Sequence, residues 1–515
     1  PFGRAGVREK IVATTKNIRI RKFPPTRPCA ERAGQVAHRD SAQKRMISNM
    51  DATQTVLGIF REISDIPRAS GNEAGIREWL RLRAIKDGFA HEIDAAGNIL
   101  IRVPATPGYE AAPCTILQGH MDMVCLPIQF SDGKDGWLRS NGSTLGADDG
   151  IGIATALALV QEKDDYKPAH PALELLFTVE EETNMGGAQG LKSGFLSGSI
   201  LLNLDSEDEG VFINGCAGGE EVSIDLPLSF GPAPFPLAYS LKVSGLLGGH
   251  SGVDIDKNRA SANKLLARTL DCLQAITPLA LGSLKGGSKD NAIATDAEAS
   301  FAFAPAQEDA IVQAVKDFET QLKEEYKASD PGVTLTFTKT TLAKTASVAD
   351  TRAVIKLLMG IPHGPTEWES DGSVKTSDNL AIIGIVDNAM QVRTSQRSTD
   401  DNSLIALSKS IIKLGVDAGG NAKIVDGSHY PGWSPNDASP LRARCVEIYH
   451  GLYGKDPIVR TIHAGLECGV IGATYPGLDM ISLGATIQNP HSTGERLSIP
   501  TVQLVWDFLV TLLKN

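Results

Sequence analysis

Four pieces of the stretch 115–210 decide the fold: "TILQGHMDMV" (115–124), "GADDGIGIATALALVQE" (146–162), "LELLFTVEEETNMGGA" (173–188) and "SILLNLDSEDEG" (199–210). The first, third and fourth open on short apolar runs of strand length, and the second is an apolar run of helical length. Strands alternating with a helix imply an α/β unit with a largely parallel sheet. In such sheets ligands gather beyond the carboxyl ends of the strands. The runs stop there on polar residues: His120 and Asp122, the triple Glu180, Glu181 and Glu182, and Asp205.

Working outward, Val56, Ile59, Phe60 and Ile63 recur at helical spacing after Thr53, which predicts a helix with Thr53 as its N-cap. A second helix is predicted from Glu73 to about Lys86, and "HEIDAAGNILIRV" (91–103) reads as strand, turn, strand. After about Cys216 the texture changes. "AYSLKVSG" (238–245), "EASFAFA" (298–304) and "VTLTFTK" (333–339) read as strands with one exposed face, separated by helices over 260–274 and 308–326. These units predict an inserted α+β domain. From "YPGWSPN" (430–436) the α/β texture returns, with a helix after Ser439 and a last helix ending at Lys514. The expected organisation is a basic extension over 1–45, a core in two parts (46–216 and 427–515), and an insertion over 217–426.

A chain of 515 residues exceeds one ordinary core, which supports that division. No run of 18 apolar residues occurs, so no membrane span is expected. The net charge of −11 is uneven. Residues 1–49 hold twelve Lys/Arg against Glu9, Glu31 and Asp40, a balance of +9 that leaves −20 on the rest. So acidic a body excludes nucleic acid as the main partner, because phosphate contacts need Lys and Arg. The basic extension reads as a disordered tail, or as sequence upstream of a start at Met46 or Met50. An Arg-rich, acid-poor stretch also fits an organellar targeting segment. The seven cysteines (29, 114, 125, 216, 272, 445, 468) form no C-x-x-C pair, which favours buried thiols in a reducing cytoplasm.

His120 and Asp122 are two apart at a strand end, so both side chains face one side. A histidine can then bind metal while the carboxylate orients it. Asp148 and Asp149 follow a glycine loop at a helix start, a place that suits helix capping and metal binding equally. Three adjacent carboxylates at a sheet end repel one another and are costly to desolvate without a cation, so the glutamate run favours a site. His491, in "LGATIQNPHSTGE" (483–495), lies in a loop after a predicted strand. Two histidines and at least four carboxylates at strand ends supply what a pair of zinc ions needs.

In this order, "GHMDMV", "GADDGIG", "EEETNMGGA", "NLDSEDEG" and "PHSTGE" resemble the zinc aminoacyl-histidine dipeptidases. These are a branch of the co-catalytic dizinc exopeptidases and deacylases that carry a lid domain. "INGCAGG", "GGHSGVDI", "HYPGWSPN" and "HAGLECG" are similar to that branch in particular, and the likeness runs from about residue 50 to the end. It implies a mostly parallel catalytic domain interrupted by a lid and dimerisation domain. It also implies an enzyme that hydrolyses small peptides, Xaa-His dipeptides above all. His120 and Asp205 would hold one zinc and Glu182 and His491 the other, with Asp148 rather than Asp149 bridging them. Manganese or cobalt could replace zinc. Asp122 would orient His120, and Glu181 would be the general base, with Glu180 outside the functional pair.

The resemblance further assigns His250 as oxyanion donor, often supplied by a neighbouring subunit, which implies a homodimer. Arg393 would take the substrate carboxylate, Asn263 would contact the reacting carbonyl side, and Glu467 would receive the amino group. One segment departs from the pattern: Lys289, Ala294 and Thr295 stand where related dipeptidases tend to have arginine and proline-arginine. Lys and Arg are not equivalent at a bidentate site. Two other functions compete. One is an aminopeptidase or N-acyl amino acid deacylase with the same chemistry. The other is a non-catalytic binding protein on a peptidase scaffold, which the intact set of metal and base residues disfavours.

Overall fold

The computed structural model describes residues 52–124, 130–132, 135–161, 168–370, 372–419 and 421–515. The basic extension, its two methionines, Cys29 and Cys125 lie outside the described residues. The remaining five cysteines are free thiols.

An eight-stranded sheet forms the core. Its order is Ala90–Ile93, Ile99–Val103, Leu173–Thr178, Thr115–His120, Ile200–Asn203, Asp479–Ser482, Val211–Cys216 and Ile458–Ile462. Its centre is parallel: Thr115–His120 lies between Leu173–Thr178 and Ile200–Asn203, which in turn pairs parallel with Asp479–Ser482. The hairpin of the first two strands joins antiparallel. Helices 52–64, Ala74–Lys86, Ala147–Val160, Pro440–Tyr453 and Ile499–Lys514 contribute to one large apolar cluster. Glu467–Thr474 and Gly186–Gly190 contribute to a second, separate cluster. Thr115–His120 and Leu173–Thr178 are accordingly buried at every position, as strands covered on both faces are.

Two expected ends shift. Thr53 lies inside the first helix rather than capping it, and its hydroxyl donates to Gln503 Oε1 at 2.5 Å. The strand expected over 115–124 stops at His120, so Asp122 stands just beyond it. Ser439 does cap its helix, accepting from the Arg442 N–H at 2.9 Å.

A second, nine-stranded sheet is antiparallel at every pairing. Its path runs Thr334–Thr340, Leu237–Ser244, Ala297–Phe303, Ala280–Gly286, Val374–Val386, Ala389–Ser398, Gly218–Pro227 and Lys423–Tyr430, with Gly364–Trp368 beside Val374–Val386. Helices Ala262–Gln274, Glu308–Glu325, Val348–Gly360 and Asp401–Ala418 pack with it around its own apolar cluster. The long hairpin Val374–Ser398 is absent from the sequence expectation. Its turn is Asp387–Asn388, with φ of 49° and 59°, the left-handed pair that a two-residue hairpin loop requires.

Candidate metal centre

Asp148 stands between two histidines. Its Oδ1 lies 2.9 Å from His120 Nε2 and its Oδ2 lies 2.9 Å from His491 Nε2. Asp205 Oδ1 is 3.3 Å from the same nitrogen of His120, and Glu182 Oε2 is 2.8 Å from that of His491. One carboxylate thus spans two subsites, each with one imidazole and one further carboxylate. Ligand atoms about 2.0–2.2 Å from a tetrahedral ion lie roughly 3.3 Å from one another, close to the separations here. Glu182 Oε1 is buried without a hydrogen-bond partner, as an oxygen reserved for a cation would be.

The electrostatics point the same way. Burial pushes the Asp205 and Glu181 carboxyls well above their ordinary values, and neighbouring carboxylates add to it. Burial also works against charge on Asp148, but His120 and His491 outweigh it and hold that carboxyl low. Hydrogen bonds to Asp148 and Glu182 push the His491 imidazole up to about 11. So acidic a pocket draws positive charge, which protons on the histidines or divalent ions can supply.

Asp122 braces two elements at once. Its Oδ1 accepts from the Glu181 N–H at 3.0 Å, and its Oδ2 accepts from the Glu182 N–H at 3.1 Å and Ser70 Oγ at 2.8 Å. It therefore caps the short helix Glu181–Asn184 that presents the glutamate pair. His120 Nδ1 lies 3.1 Å from the Asp122 carbonyl and 3.4 Å from Asp122 Oδ1, which leaves Nε2 free as a ligand. Glu180 stays apart, with its N–H donating to Glu73 Oε1. Asp149 is buried differently from Asp148: its Oδ1 accepts from the Gly152 N–H at 3.1 Å.

Sequence reasoning missed two supports. Glu495 accepts backbone N–H bonds from Leu145, Gly146 and Ala147 at 2.6–3.0 Å, which fixes the loop that carries Asp148. It closes the quoted "PHSTGE", so its position was in view but its partners, some 350 residues earlier, were not. Arg68 is fully buried and donates to the carbonyls of Met121, Asp122 and Gly146. Nothing in "DIPRAS" marks it.

Two of the four expected substrate contacts lie within electrostatic reach of the candidate ligands, His250 of His491 and Glu467 of His120. His250 accepts the Gly252 and Val253 N–H groups at Nδ1, which puts its own proton on Nε2, and it feels the charges of Arg397 and His491 of the same chain. Asn263 is buried and donates to the Leu380 and Ala381 carbonyls. Glu467 is buried, its Oε2 accepting from Gln118 at 2.6 Å and Thr178 at 2.7 Å. Arg393 is exposed on its strand. Four residues on, Arg397 is buried, donates to the Tyr430 hydroxyl at 2.9 Å, and lies within electrostatic reach of His250 and His463.

Residues 241–330 match the family of the peptidase dimerisation domain. The chain is 37% identical over 480 residues to the cytosol non-specific dipeptidase of Escherichia coli, an alignment spanning 90% of this chain and 97% of that protein. Its fold is similar to the crystal structure of aminoacylhistidine dipeptidase from Vibrio alginolyticus, with a TM-score of 0.80 and 35% identity over 89% of this chain and 96% of the other. A tripeptidase of Staphylococcus aureus shares the fold at a TM-score of 0.54 and 18% identity, over 90% and 98% of the two chains.

Proposed function

Because the chain belongs to the family of the cytosol non-specific and aminoacylhistidine dipeptidases and is a metallo-dipeptidase, we propose that it uses two zinc ions to cleave Xaa-His dipeptides. The observation that carries this is Asp148 with one oxygen on His120 and the other on His491. His120 and Asp205 would hold one ion, His491 and Glu182 the other, and Asp148 both. When bound, such ions lower the pKa of the attacking water and polarise the scissile carbonyl; manganese or cobalt would serve the same chemistry.

The chain's own groups do the rest. Glu181 sits on the short helix braced by Asp122, and its raised pKa suits taking the proton of the attacking water and passing it to the departing amine. His250, with its proton on Nε2 and within electrostatic reach of His491, is the oxyanion donor in this assignment. Arg397, rather than exposed Arg393, receives the substrate carboxylate. Glu467 keeps Oε1 buried without a partner and receives the substrate amino group in this assignment, and Asn263, whose Oδ1 is likewise unpartnered, contacts the reacting carbonyl side. Residues 46–216 and 427–515 form the catalytic parts in this assignment, and 217–426 the lid. The dimerisation-domain match supports a homodimer. The cytosolic relative supports a cytoplasmic location, and no helix among the described residues is long and apolar enough to cross a membrane.

The test is elemental analysis together with peptide hydrolysis. Wild-type protein is expected to carry two zinc ions per chain and to cleave Ala-His. Asp148→Asn is expected to lose metal and activity together. Preference for N-acyl amino acids over dipeptides would sink the substrate assignment, and full metal content in Asp148→Asn would sink the bridge.

A further inference from the structure

The face of the second sheet that turns toward the core carries two rows of polar side chains. Residues directly opposite in an antiparallel sheet share a face. Ser377, Arg397, Gly219 and Tyr430 oppose one another across four strands, and Asn379, Ser395 and Glu221 form the next row. The first row meets the catalytic part: Ser377 Oγ lies 2.8 Å from His463 Nε2, and a Cβ added to Gly465 would come within 2.9 Å of the Tyr430 ring. The second row holds the Asp290 loop, because Asn379 Nδ2 donates to the Asp290 and Ala292 carbonyls at 2.9 and 3.0 Å. Glu221 is half-buried within electrostatic reach of Asp290, of the exposed Arg393 and of Arg397.

These charges do not satisfy one another. Arg397 is 8% exposed, yet its Nη1 goes to a tyrosine hydroxyl and its Nε has no partner. Asp290 Oδ1 and Asn379 Oδ1 are also buried without partners. A buried cation in one row and two carboxylates by the next suit a ligand that carries both signs. The rows are two residues apart along a strand, about 6.6 Å, comparable with the reach from the carboxylate to the imidazole of a histidine.

We propose that Glu221 and Asp290 determine specificity by receiving the basic side chain of the substrate's C-terminal residue while Arg397 holds that residue's carboxylate. The class is dipeptides ending in histidine, lysine or arginine, and the proposal rests on the dipeptidase assignment above.

The measurement is the ratio of kcat/KM for Ala-His to that for Ala-Leu in Glu221→Gln, Glu221→Asp and Asp290→Asn. Loss of a charge-assisted hydrogen bond should lower the ratio about tenfold in Glu221→Gln and about threefold in Asp290→Asn. Glu221→Asp should restore most of it, which a merely structural role would not. A wild-type ratio in both neutral variants overturns the proposal, and if one of them fails to fold, the other decides alone. Wild-type protein that binds metal but cleaves neither dipeptide would instead overturn the dipeptidase assignment, a failure visible before any variant is made.

Discussion

In the eight-stranded sheet, Thr115–His120 and Leu173–Thr178 are buried throughout, and the candidate ligands His120, Glu182 and Asp205 stand at or just past strand ends. In the nine-stranded sheet, Thr376, Ser377, Asp378 and Asn379 are buried polar residues, faced by Ser398, Arg397, Gln396 and Ser395. The first sheet is an apolar platform that delivers chemistry at its rim. The second places polar groups on its surface, where each needs a partner from another element or from substrate. Catalysis and recognition are thus divided between two kinds of burial.

The sharpest way to break that division is at the rim. Glu181→Gln should lower kcat/KM by about 10²–10⁴-fold while the metal stays bound, read by kinetics beside elemental analysis. Near-normal turnover would remove Glu181 from the chemistry. On the recognition side, Arg397→Met should raise KM for dipeptides by about 10–100-fold, the loss of a charged hydrogen-bond partner, while Arg393→Met changes it less than about twofold. Equal effects would show that burial does not separate the two arginines.

Glu495→Gln probes how the rim is held. An amide in place of a carboxylate that accepts three backbone N–H bonds should cost about 1–3 kcal/mol of stability, measured by denaturant unfolding, and should weaken metal retention. Unaltered stability and retention would mean the Asp148 loop holds itself. The smallest effect concerns the second sheet. Burial raises the Asp378 carboxyl from 3.8 to about 7, against the opposing Gln396 hydrogen bond. Its contribution to stability is then fully present below the unfolded value and is lost as pH rises through about 7. Asp378→Asn should therefore flatten the fall in Tm between about pH 4 and 7; a wild-type slope would show that Asp378 is already ionised in the fold.

The two sheets also differ in how readable they were. "LELLFTV" and "SILLNLD" declare themselves because a doubly covered strand is continuously apolar, and the carboxylate that ends each run is conspicuous. "VKTSDNLA" and "VRTSQRS" show no apolar alternation, so the central hairpin of the second sheet gave no strand signal, although Asp387–Asn388 carried the chemistry of its turn. The sequence reading names Arg393 and is silent on Arg397, because two arginines four apart on one strand look alike until neighbouring elements bury one and leave the other in water.

The sequence by itself determined the fold class, the family and the candidate ligand types, because strand ends and short motifs are local. The resemblance had chosen Asp148 over Asp149; only the tertiary structure set it between two histidines and decided which arginine is buried and which residue holds the Asp148 loop. Those are contacts between segments up to about 350 residues apart, such as Glu495 with Leu145 and His491 with Asp148. No local propensity encodes such a contact, because its geometry exists only once both sheets have packed.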